Sequence, residues 1–366
     1  MSSPEFGGGA TAQAAPGTPI TVEWQVWVAE NALAGLTSTQ LVETMVGAGV
    51  DENAAAQEVN QAMTHPYLHA AAKAVRGAPV GAAGAPQVGG SAQAEKFAWF
   101  LDNERRLGRM ASSYGEVERV HKPSRAEFLD NYYSQNKPCV ITGAMDDWPA
   151  LTKWDGDYLK KRCGDKIVEV QANRNSDDDY ELNSIKHKKD MPFREIVDII
   201  ESGVETNDWY ITANNSGKNK EALIALWDDI RYPDYLDPNH DHGNGFFWYG
   251  PAGTVTPIHH DLTNNFMAQV RGRKRVKIIS PADSPYVYNN QHCFSPVDME
   301  NPDLEKYPLW ANVNVLDVEI GPGDLFFLPV GWWHHVRGLE ISITMTFTNF
   351  MFDNDFSASY STYGQI

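Results

Sequence analysis

Residues 255–281 read VTPIHHDLTNNFMAQVRGRKRVKIISP, and residues 321–336 read GPGDLFFLPVGWWHHV. Both consist of short runs rich in β-branched and aromatic residues, separated by turns that contain glycine or proline. Similar runs surround them, among them DWYIT, FFWYG, NVLDVEI and ISITMTF. Many short strands joined by such turns predict a β-sandwich or a jelly-roll barrel.

The first of these stretches contains a histidine and a carboxylate two positions apart, His259 and Asp261. Residues two apart on a strand point to the same face, so both side chains can hold one metal ion. We expect the third ligand from the second stretch, where His334 follows the run DLFFLP. Two histidines and one carboxylate form a facial triad, which leaves open positions on Fe(II) for a chelating cosubstrate and O₂.

Other histidines are alternatives to these ligands, because a histidine and an aspartate at this spacing often occur by chance. His260 and His335 adjoin the predicted ligands, and strand alternation should turn each of them to the opposite face. We therefore assign both to packing or to the surroundings of the site. A rival metal cluster, His240, Asp241 and His242, lies in a polar loop flanked by proline and glycine.

Lys274 follows the turn at Arg271–Gly272, on the hairpin partner of the preceding strand. A lysine that faces a barrel interior is unfavourable unless it meets an anion. The distal carboxylate of 2-oxoglutarate is such an anion, and Thr256 and Tyr210 offer hydroxyl groups for the same pocket. The alternative is a surface position for Lys274 within the basic run RGRKR, and the residues alone favour neither reading.

The formal net charge of −18 and the sequence pI of about 5.0 oppose binding to phosphate backbones and anionic lipid. We therefore expect no nucleic-acid partner and no membrane partner, and no apolar run is long enough to span a bilayer. The cysteines are few and far apart, without CxxC spacing, which suits a reducing, cytoplasmic location. They are Cys139, Cys163 and Cys293.

Composition divides the chain into five predicted segments. Residues 1–19 resemble an unstructured lead or an expression scar, and residues 20–77 predict a small helical module. Residues 78–93 form a Gly/Ala/Pro linker, residues 94–350 form the main domain, and residues 351–366 form a polar tail. The helical module has too few basic residues for a DNA reader, so docking of a peptide and simple stabilisation are its alternative roles.

The two quoted stretches closely resemble the cupin-like branch of the jumonji C oxygenases. The likeness continues, more weakly, through KPCVITGAMDDWPALTKWDGDYLKKRCGD at residues 137–165. Within that family the motifs are most similar to those of the asparaginyl hydroxylase that inhibits hypoxia-inducible factor. The resemblance implies a mainly β fold with flanking α-helices: a double-stranded β-helix, the cupin-like jelly roll, preceded by the small helical bundle.

The resemblance also implies an enzyme, a dioxygenase that uses Fe(II), 2-oxoglutarate and O₂ to hydroxylate a C–H bond. The expected substrate is a side chain of a protein or peptide. The acidic stretch SDDDYE at residues 176–181 is compatible with a basic peptide, but an ordinary solvated loop is the favoured reading of that stretch. N-methyl demethylation, hydroxylation of a free amino acid, and a non-oxygenase cupin such as a zinc isomerase are the alternatives, and the oligomeric state is open. The implied iron ligands are His259, Asp261 and His334. The implied 2-oxoglutarate contacts are Lys274, Thr256, Tyr210, Asn265 and Thr346.

Overall fold

The computed structural model describes residues 20–33, 36–65, 67–68, 92–213, 217–239, 245–289, 291–357 and 360. The chain divides into two compact units, Met1–Asn103 and Glu104–Ile366. The predicted lead, most of the predicted linker and the rival cluster His240, Asp241 and His242 lie outside the described residues. Among the described helices, none combines the length and the apolar character needed to cross a membrane.

Within its described residues, the first unit contains three complete helices, α1 (Val22–Leu33), α2 (Ser38–Gly47) and α3 (Glu52–Thr64), and the first part of a longer helix, Ala92–Gly108. Thr37 begins α2 with a capping box, and the Asp51 carboxylate accepts a hydrogen bond from the first turn of α3. The apolar faces of the helices meet in a small core that includes Trp24, Val28, Leu41, Met45 and Val59. The helices predicted after Thr37 and Asp51 are present, because the two caps and the spacing of the apolar residues stabilise them.

Strands dominate the second unit, as the short runs of β-branched and aromatic residues predict. Their bounds are β1 Glu118–His121, β2 Cys139–Thr142, β3 Ile167–Gln171, β4 Lys188–Pro192, β5 Phe246–Gly250, β6 Val255–His260, β7 Asn265–Arg271, β8 Lys274–Ile279, β9 Val315–Ile320, β10 Leu325–Leu328, β11 Trp333–Gly338 and β12 Ser342–Phe347. They form a six-stranded sheet in the order β1-β2-β10-β7-β12-β5 and a four-stranded sheet in the order β6-β11-β8-β9. Apart from the parallel pair β1–β2, the pairs in these sheets are antiparallel.

The remaining strands, β3 and β4, form a separate antiparallel pair. The predicted strand DWYIT contributes only two single bridges, Tyr210 with Gln171 and Ile211 with Tyr249. These bridges nevertheless join β3 to β5 and therefore carry Tyr210 to the edge of the larger sheet.

The two larger sheets face each other. One apolar cluster joins Met267 and Phe326 of the six-stranded sheet to Val276 and Val336 of the four-stranded sheet. This contact leaves one barrel-like interior, in which every second side chain of each strand points inward.

Helices cover the larger sheet from outside. The amphipathic helix Phe193–Glu201 buries its apolar face, and its Phe193 ring lies 6.1 Å from the ring of Phe247 on β5. The helices of this part of the chain are α4 Ala92–Gly108, α5 Arg125–Phe128 (continued by a π turn, Leu129–Tyr133), α6 Ala150–Lys153, α7 Gly156–Cys163, α8 Ser184–His187, α9 Phe193–Glu201 and α10 Lys218–Leu223. Short 3₁₀ turns span Arg174–Ser176, Ile224–Asp229, Pro281–Tyr286 and Pro308–Asn312. The expected mainly β fold with flanking helices is confirmed.

Candidate metal centre and its pocket

The three predicted metal ligands converge. One potential ligand atom from each of His259, Asp261 and His334 lies within 4.8 Å of the other two. The β6–β11 ladder brings the histidines together, because His259 is paired with His334 in the register. Asp261 directly follows β6, and its Oδ1 lies 3.8 Å from Nε2 of His259. Among the described residues, no other group of histidine, cysteine and carboxylate side chains has this geometry.

Hydrogen bonds to the main chain orient both imidazole rings. Nδ1 of His259 lies 2.8 Å from the carbonyl oxygen of Pro257, and Nδ1 of His334 lies 3.1 Å from that of Trp332. A carbonyl can only accept, so Nδ1 of each ring donates and Nε2 keeps its lone pair. Such outer partners fix the tautomer of metal-binding histidines, and here they leave both Nε2 atoms available as ligands.

The Asp261 carboxylate is also held in place. Asn265 donates from Nδ2 to Oδ2 of Asp261 at 3.3 Å, and the main-chain N–H of Gly331 donates to the Asp261 carbonyl oxygen at 3.1 Å. Oδ1 of Asn265 is buried and accepts no hydrogen bond from the part of the chain that the structure describes. A buried amide oxygen without a donor is unfavourable, which suits a site that closes around a bound group.

A β-bulge places Thr256 beside the metal ligands. His334 pairs with His259, but Val336 pairs with Thr256, so two residues of β6 oppose one residue of β11. Without the bulge, an odd spacing of three would turn Thr256 and His259 to opposite faces. With it, both side chains line one cavity. Pro257 lies within the bulge, where a missing N–H is tolerated.

Lys274 points into the barrel and is only 1% exposed. Its Nζ donates to the hydroxyl of Tyr210 at 3.0 Å. Within the described ranges, no carboxylate lies within ion-pair distance of this ammonium group. A buried cation is strongly unfavourable unless it is paired, so the surroundings of Lys274 suit an anionic ligand.

One cavity of about 250 Å³ contains all eight side chains predicted for the iron and 2-oxoglutarate sites. Thr346 lies on its wall, where its hydroxyl accepts a hydrogen bond from Nε1 of Trp248 at 3.0 Å. Trp248 also lines the cavity and was not predicted, because its run FFWYG gave no sign of which face is inward. The donor set of two imidazoles and one carboxylate fits a divalent transition metal such as Fe(II).

His260 and His335 face away from the ligands. Nε2 of His260 shares a hydrogen bond of 2.8 Å with the hydroxyl of Tyr360, and the ring packs edge-on against Trp333. His335 lies beside Glu300, with Nδ1 of the ring 3.8 Å from the carboxylate. Both histidines therefore occupy the packing positions that strand alternation predicts. Tyr360 belongs to the predicted polar tail, so this part of the tail packs against β6, the strand that carries His259.

Burial governs the protonation of two histidines, the ligand His334 and its neighbour His335. Burial, followed by the proximity of the His259 ring, lowers the pKa of His334 to about 3, and burial lowers the pKa of His335 to about 4. An unperturbed histidine has a pKa near 6.5. Both rings are therefore neutral at pH 7, and for His334 the neutral form is the one that binds a metal.

These pKa values predict that the metal-free protein loses stability in mild acid. Below about pH 6.5 the unfolded chain takes up protons at these histidines while the folded chain does not, so the free energy of unfolding falls as pH falls. Each histidine contributes up to about 2 kcal/mol between pH 7 and pH 5 by this linkage. Urea unfolding of the metal-free protein at pH 7, 6 and 5 measures the effect. His335→Gln should reduce the dependence of the free energy of unfolding on pH. A free energy of unfolding that does not change with pH would contradict the lowered pKa values of both histidines.

Comparison with known proteins supplies the family. The family model described as "Cupin-like domain" matches residues 125–358. Lysine-specific demethylase 8 of Danio rerio is 34% identical over 241 residues, covering 63% of this chain and 58% of that protein. Lysine-specific demethylase JMJ30 of Arabidopsis thaliana is 32% identical over 241 residues (63% and 54%). tRNA wybutosine-synthesizing protein 5 of Gallus gallus is 29% identical over 244 residues (63% and 76%).

The chain spans little more than half the length of the two demethylases that it matches. These relatives support the cupin-like and jumonji C family, but not the finer likeness to the asparaginyl hydroxylase, which stays a prediction. The expected exclusion of nucleic acid also lacks support, because one relative is named for tRNA wybutosine synthesis. Net charge reports the whole surface and does not exclude a local nucleic-acid contact.

Proposed function

Because the chain belongs to the family of cupin-like domains, we propose that it is a dioxygenase that uses Fe(II) and 2-oxoglutarate to hydroxylate a C–H bond. The observation that carries the proposal is a single cavity that contains a triad of two histidines and a carboxylate together with a buried lysine, which has no carboxylate partner among the described residues. A dicarboxylate chelated at the metal would give this lysine an anionic partner, which a neutral ligand would not. The two facing sheets also support a double-stranded β-helix as the fold.

In this proposal each group of residues has a separate task. His259, Asp261 and His334 hold the metal on one side, so that the other side stays open to ligands. Lys274, with the hydroxyl of Tyr210, binds the distal carboxylate of 2-oxoglutarate by charge-assisted hydrogen bonds. Thr256 offers a second hydroxyl to the same carboxylate, and Asn265 and Thr346 line the remaining wall. When bound, iron and 2-oxoglutarate activate O₂ for oxidation of the substrate.

A groove beside the cavity supports a cationic substrate. It has a volume of about 600 Å³ and shares Phe246, Thr263 and Thr348 with the cavity wall, so the two spaces adjoin. Its other lining residues include three carboxylates but, within the described residues, no lysine or arginine. The carboxylates are Asp237, Asp353 and Asp355. Such a rim attracts a basic peptide and repels a phosphate backbone, and we infer that a protein or peptide side chain is the substrate.

Neutralising this rim should reduce turnover of a basic peptide. We expect the double variant Asp353→Asn, Asp355→Asn to raise KM for a peptide rich in lysine and arginine by about fivefold to 30-fold, since each lost exposed contact is worth up to about 1 kcal/mol. Turnover of 2-oxoglutarate without a peptide should not change. The matched control is Asp157→Asn, at an exposed carboxylate that is distant in sequence from Asp353 and Asp355 and does not line the groove. Equal KM values for variant and control, or turnover of an RNA in place of the peptide, would contradict the assignment.

Product mass separates hydroxylation from demethylation. Incubation of candidate peptides with the protein, Fe(II), 2-oxoglutarate and O₂ should add one oxygen atom, about 16 Da, to a side chain. Loss of a methyl group from an N-methylated peptide, with release of formaldehyde, would instead favour the activity for which the demethylase relatives are named. Metal dependence distinguishes the remaining alternative, a non-oxygenase cupin, because a zinc isomerase would be active with zinc and without 2-oxoglutarate.

A further inference from the structure

Arg174 is a second buried cation beside the pocket, and no motif in the sequence singled it out. Its side chain has 0% exposure, and it lies in the 3₁₀ turn that follows β3. The nearest carboxylate, that of Glu181, lies 3.6 Å away and is itself partly exposed to solvent. A buried arginine is unfavourable unless its guanidinium group is paired and hydrogen-bonded. The contacts of Arg174 therefore show which groups it holds in place.

Two of those contacts fix the main chain at the start of β6. Arg174 donates from one terminal nitrogen to the carbonyl oxygen of Val255 at 2.7 Å and from the other to Oδ1 of Asn207 at 3.0 Å. The same Oδ1 of Asn207 accepts the main-chain N–H of Val255 at 2.8 Å. Both polar groups of Val255 are thus held by this pair, and Val255 immediately precedes Thr256 in the cavity wall.

A third contact reaches Tyr210. The guanidinium carbon of Arg174 lies 5.2 Å from the centre of the Tyr210 ring, and Nζ of Lys274 lies 5.5 Å from the same centre. Lys274 also donates to the hydroxyl of this ring at 3.0 Å. The Tyr210 ring therefore lies near two buried cations: Arg174 is within cation–π distance of the ring, and Lys274 bonds to its hydroxyl, so the two together restrain where that hydroxyl can lie.

We propose that Arg174 is a positioning residue for the end of the pocket that receives the distal carboxylate of 2-oxoglutarate. It holds the ring of Tyr210 and the peptide that precedes Thr256, and so it sets both hydroxyls around Lys274. Its positive charge also adds to the potential that favours a dicarboxylic over a monocarboxylic 2-oxo acid. The inference rests on the proposed function, but it concerns a residue that does not line the cavity.

Direct binding measurements on the full chain test this role. With Mn(II) in the metal site, calorimetry gives the affinity for 2-oxoglutarate and for 2-oxopentanoate, which has the same chain length but no distal carboxylate. Arg174→Gln should weaken 2-oxoglutarate by about tenfold or more, the loss expected when a charge-assisted contact is misplaced. The affinities for Mn(II) and 2-oxopentanoate should stay within about twofold. Arg174→Lys, which keeps the charge but loses the planar fork, should lie between wild type and Arg174→Gln.

A double-mutant cycle shows whether Arg174 acts through Tyr210. Tyr210→Phe should weaken 2-oxoglutarate in the otherwise unchanged protein but add little in the Arg174→Gln background. Arg194→Gln, at a half-exposed arginine paired with Asp165, is the control and should bind as the wild type does. If Arg174→Gln does not fold, as judged by thermal unfolding, Arg174→Lys carries the same comparison.

Two results would overturn the role of Arg174. One is unchanged 2-oxoglutarate affinity in a folded Arg174 variant. The other is an equal loss of affinity for Mn(II), 2-oxopentanoate and 2-oxoglutarate, which would mean that Arg174 only supports the fold. Failure of the unsubstituted protein to bind 2-oxoglutarate would instead contradict the proposed function, so the two failures are distinguishable.

Discussion

Asp261→Ala is expected to abolish turnover of 2-oxoglutarate. The substitution removes the one carboxylate of the triad and leaves two imidazoles, His259 and His334, which cannot hold the metal in a facial arrangement. Loss of an outer partner alone usually lowers metal affinity by about 10- to 100-fold, so loss of a direct ligand should exceed that range. Calorimetric titration with Fe(II) under anaerobic conditions and a succinate assay measure the two effects.

The matched control is Asp157→Ala, because this carboxylate is 97% exposed and its ion pair with Lys160 is a surface pair. Surface pairs contribute about 0–1 kcal/mol, so the control should bind Fe(II) and turn over 2-oxoglutarate normally. Asp261→Ala protein that keeps full turnover would show that another carboxylate holds the metal.

Lys274→Met is expected to move stability and ligand binding in opposite directions. In the ligand-free protein the substitution removes a buried cation that has no carboxylate partner among the described residues, and methionine fills a similar volume. Replacement of a buried charge by an apolar side chain is often stabilising by about 1–4 kcal/mol. Affinity for 2-oxoglutarate should fall by about 10- to 150-fold, because a charge-assisted hydrogen bond is worth about 1.5–3 kcal/mol. Urea unfolding with and without saturating 2-oxoglutarate measures both.

In such an experiment the wild-type protein should gain about 2.7 kcal/mol of stability at a ligand concentration of 100 Kd, and the variant should gain much less. Lys277→Met is the matched control on the same strand. Its ammonium lies 3.2 Å from the carboxylate of Glu300, so its removal should leave 2-oxoglutarate affinity unchanged and should not stabilise the protein. A Lys274→Met protein that binds 2-oxoglutarate normally would assign the distal carboxylate to another residue.

The sequence was sufficient for the parts of the site that follow from strand alternation. The spacing of His259 and Asp261 predicts that both side chains lie on one face of a strand. For Lys274, which follows a turn, the sequence leaves two alternatives, the barrel interior and the surface. The structure resolves that choice, since Lys274 is buried in the cavity wall. The position of His334 opposite His259 depends on the order of the strands, which short-range patterns do not encode.

Thr256 illustrates a limit of that reasoning. Its odd separation from His259 would put it on the wrong face, and only the bulge in β6 returns it to the cavity. Pro257 was the one local sign of an irregular ladder. Arg174 and Trp248 gave no sign at all, because their contacts join parts of the chain that are distant in sequence and come together only in the fold.

The chemistry of the centre can be tested directly by anaerobic addition of Fe(II) and 2-oxoglutarate to the purified protein, followed by visible absorption. We predict a weak charge-transfer band that requires both additions, appears at one equivalent of each per chain, and is absent from Asp261→Ala protein. Such a band arises only when the 2-oxo acid chelates iron at open positions. Tight metal binding without the band, at saturating 2-oxoglutarate, would mean that the ion is fully enclosed and would contradict the assignment of this protein as an oxygenase.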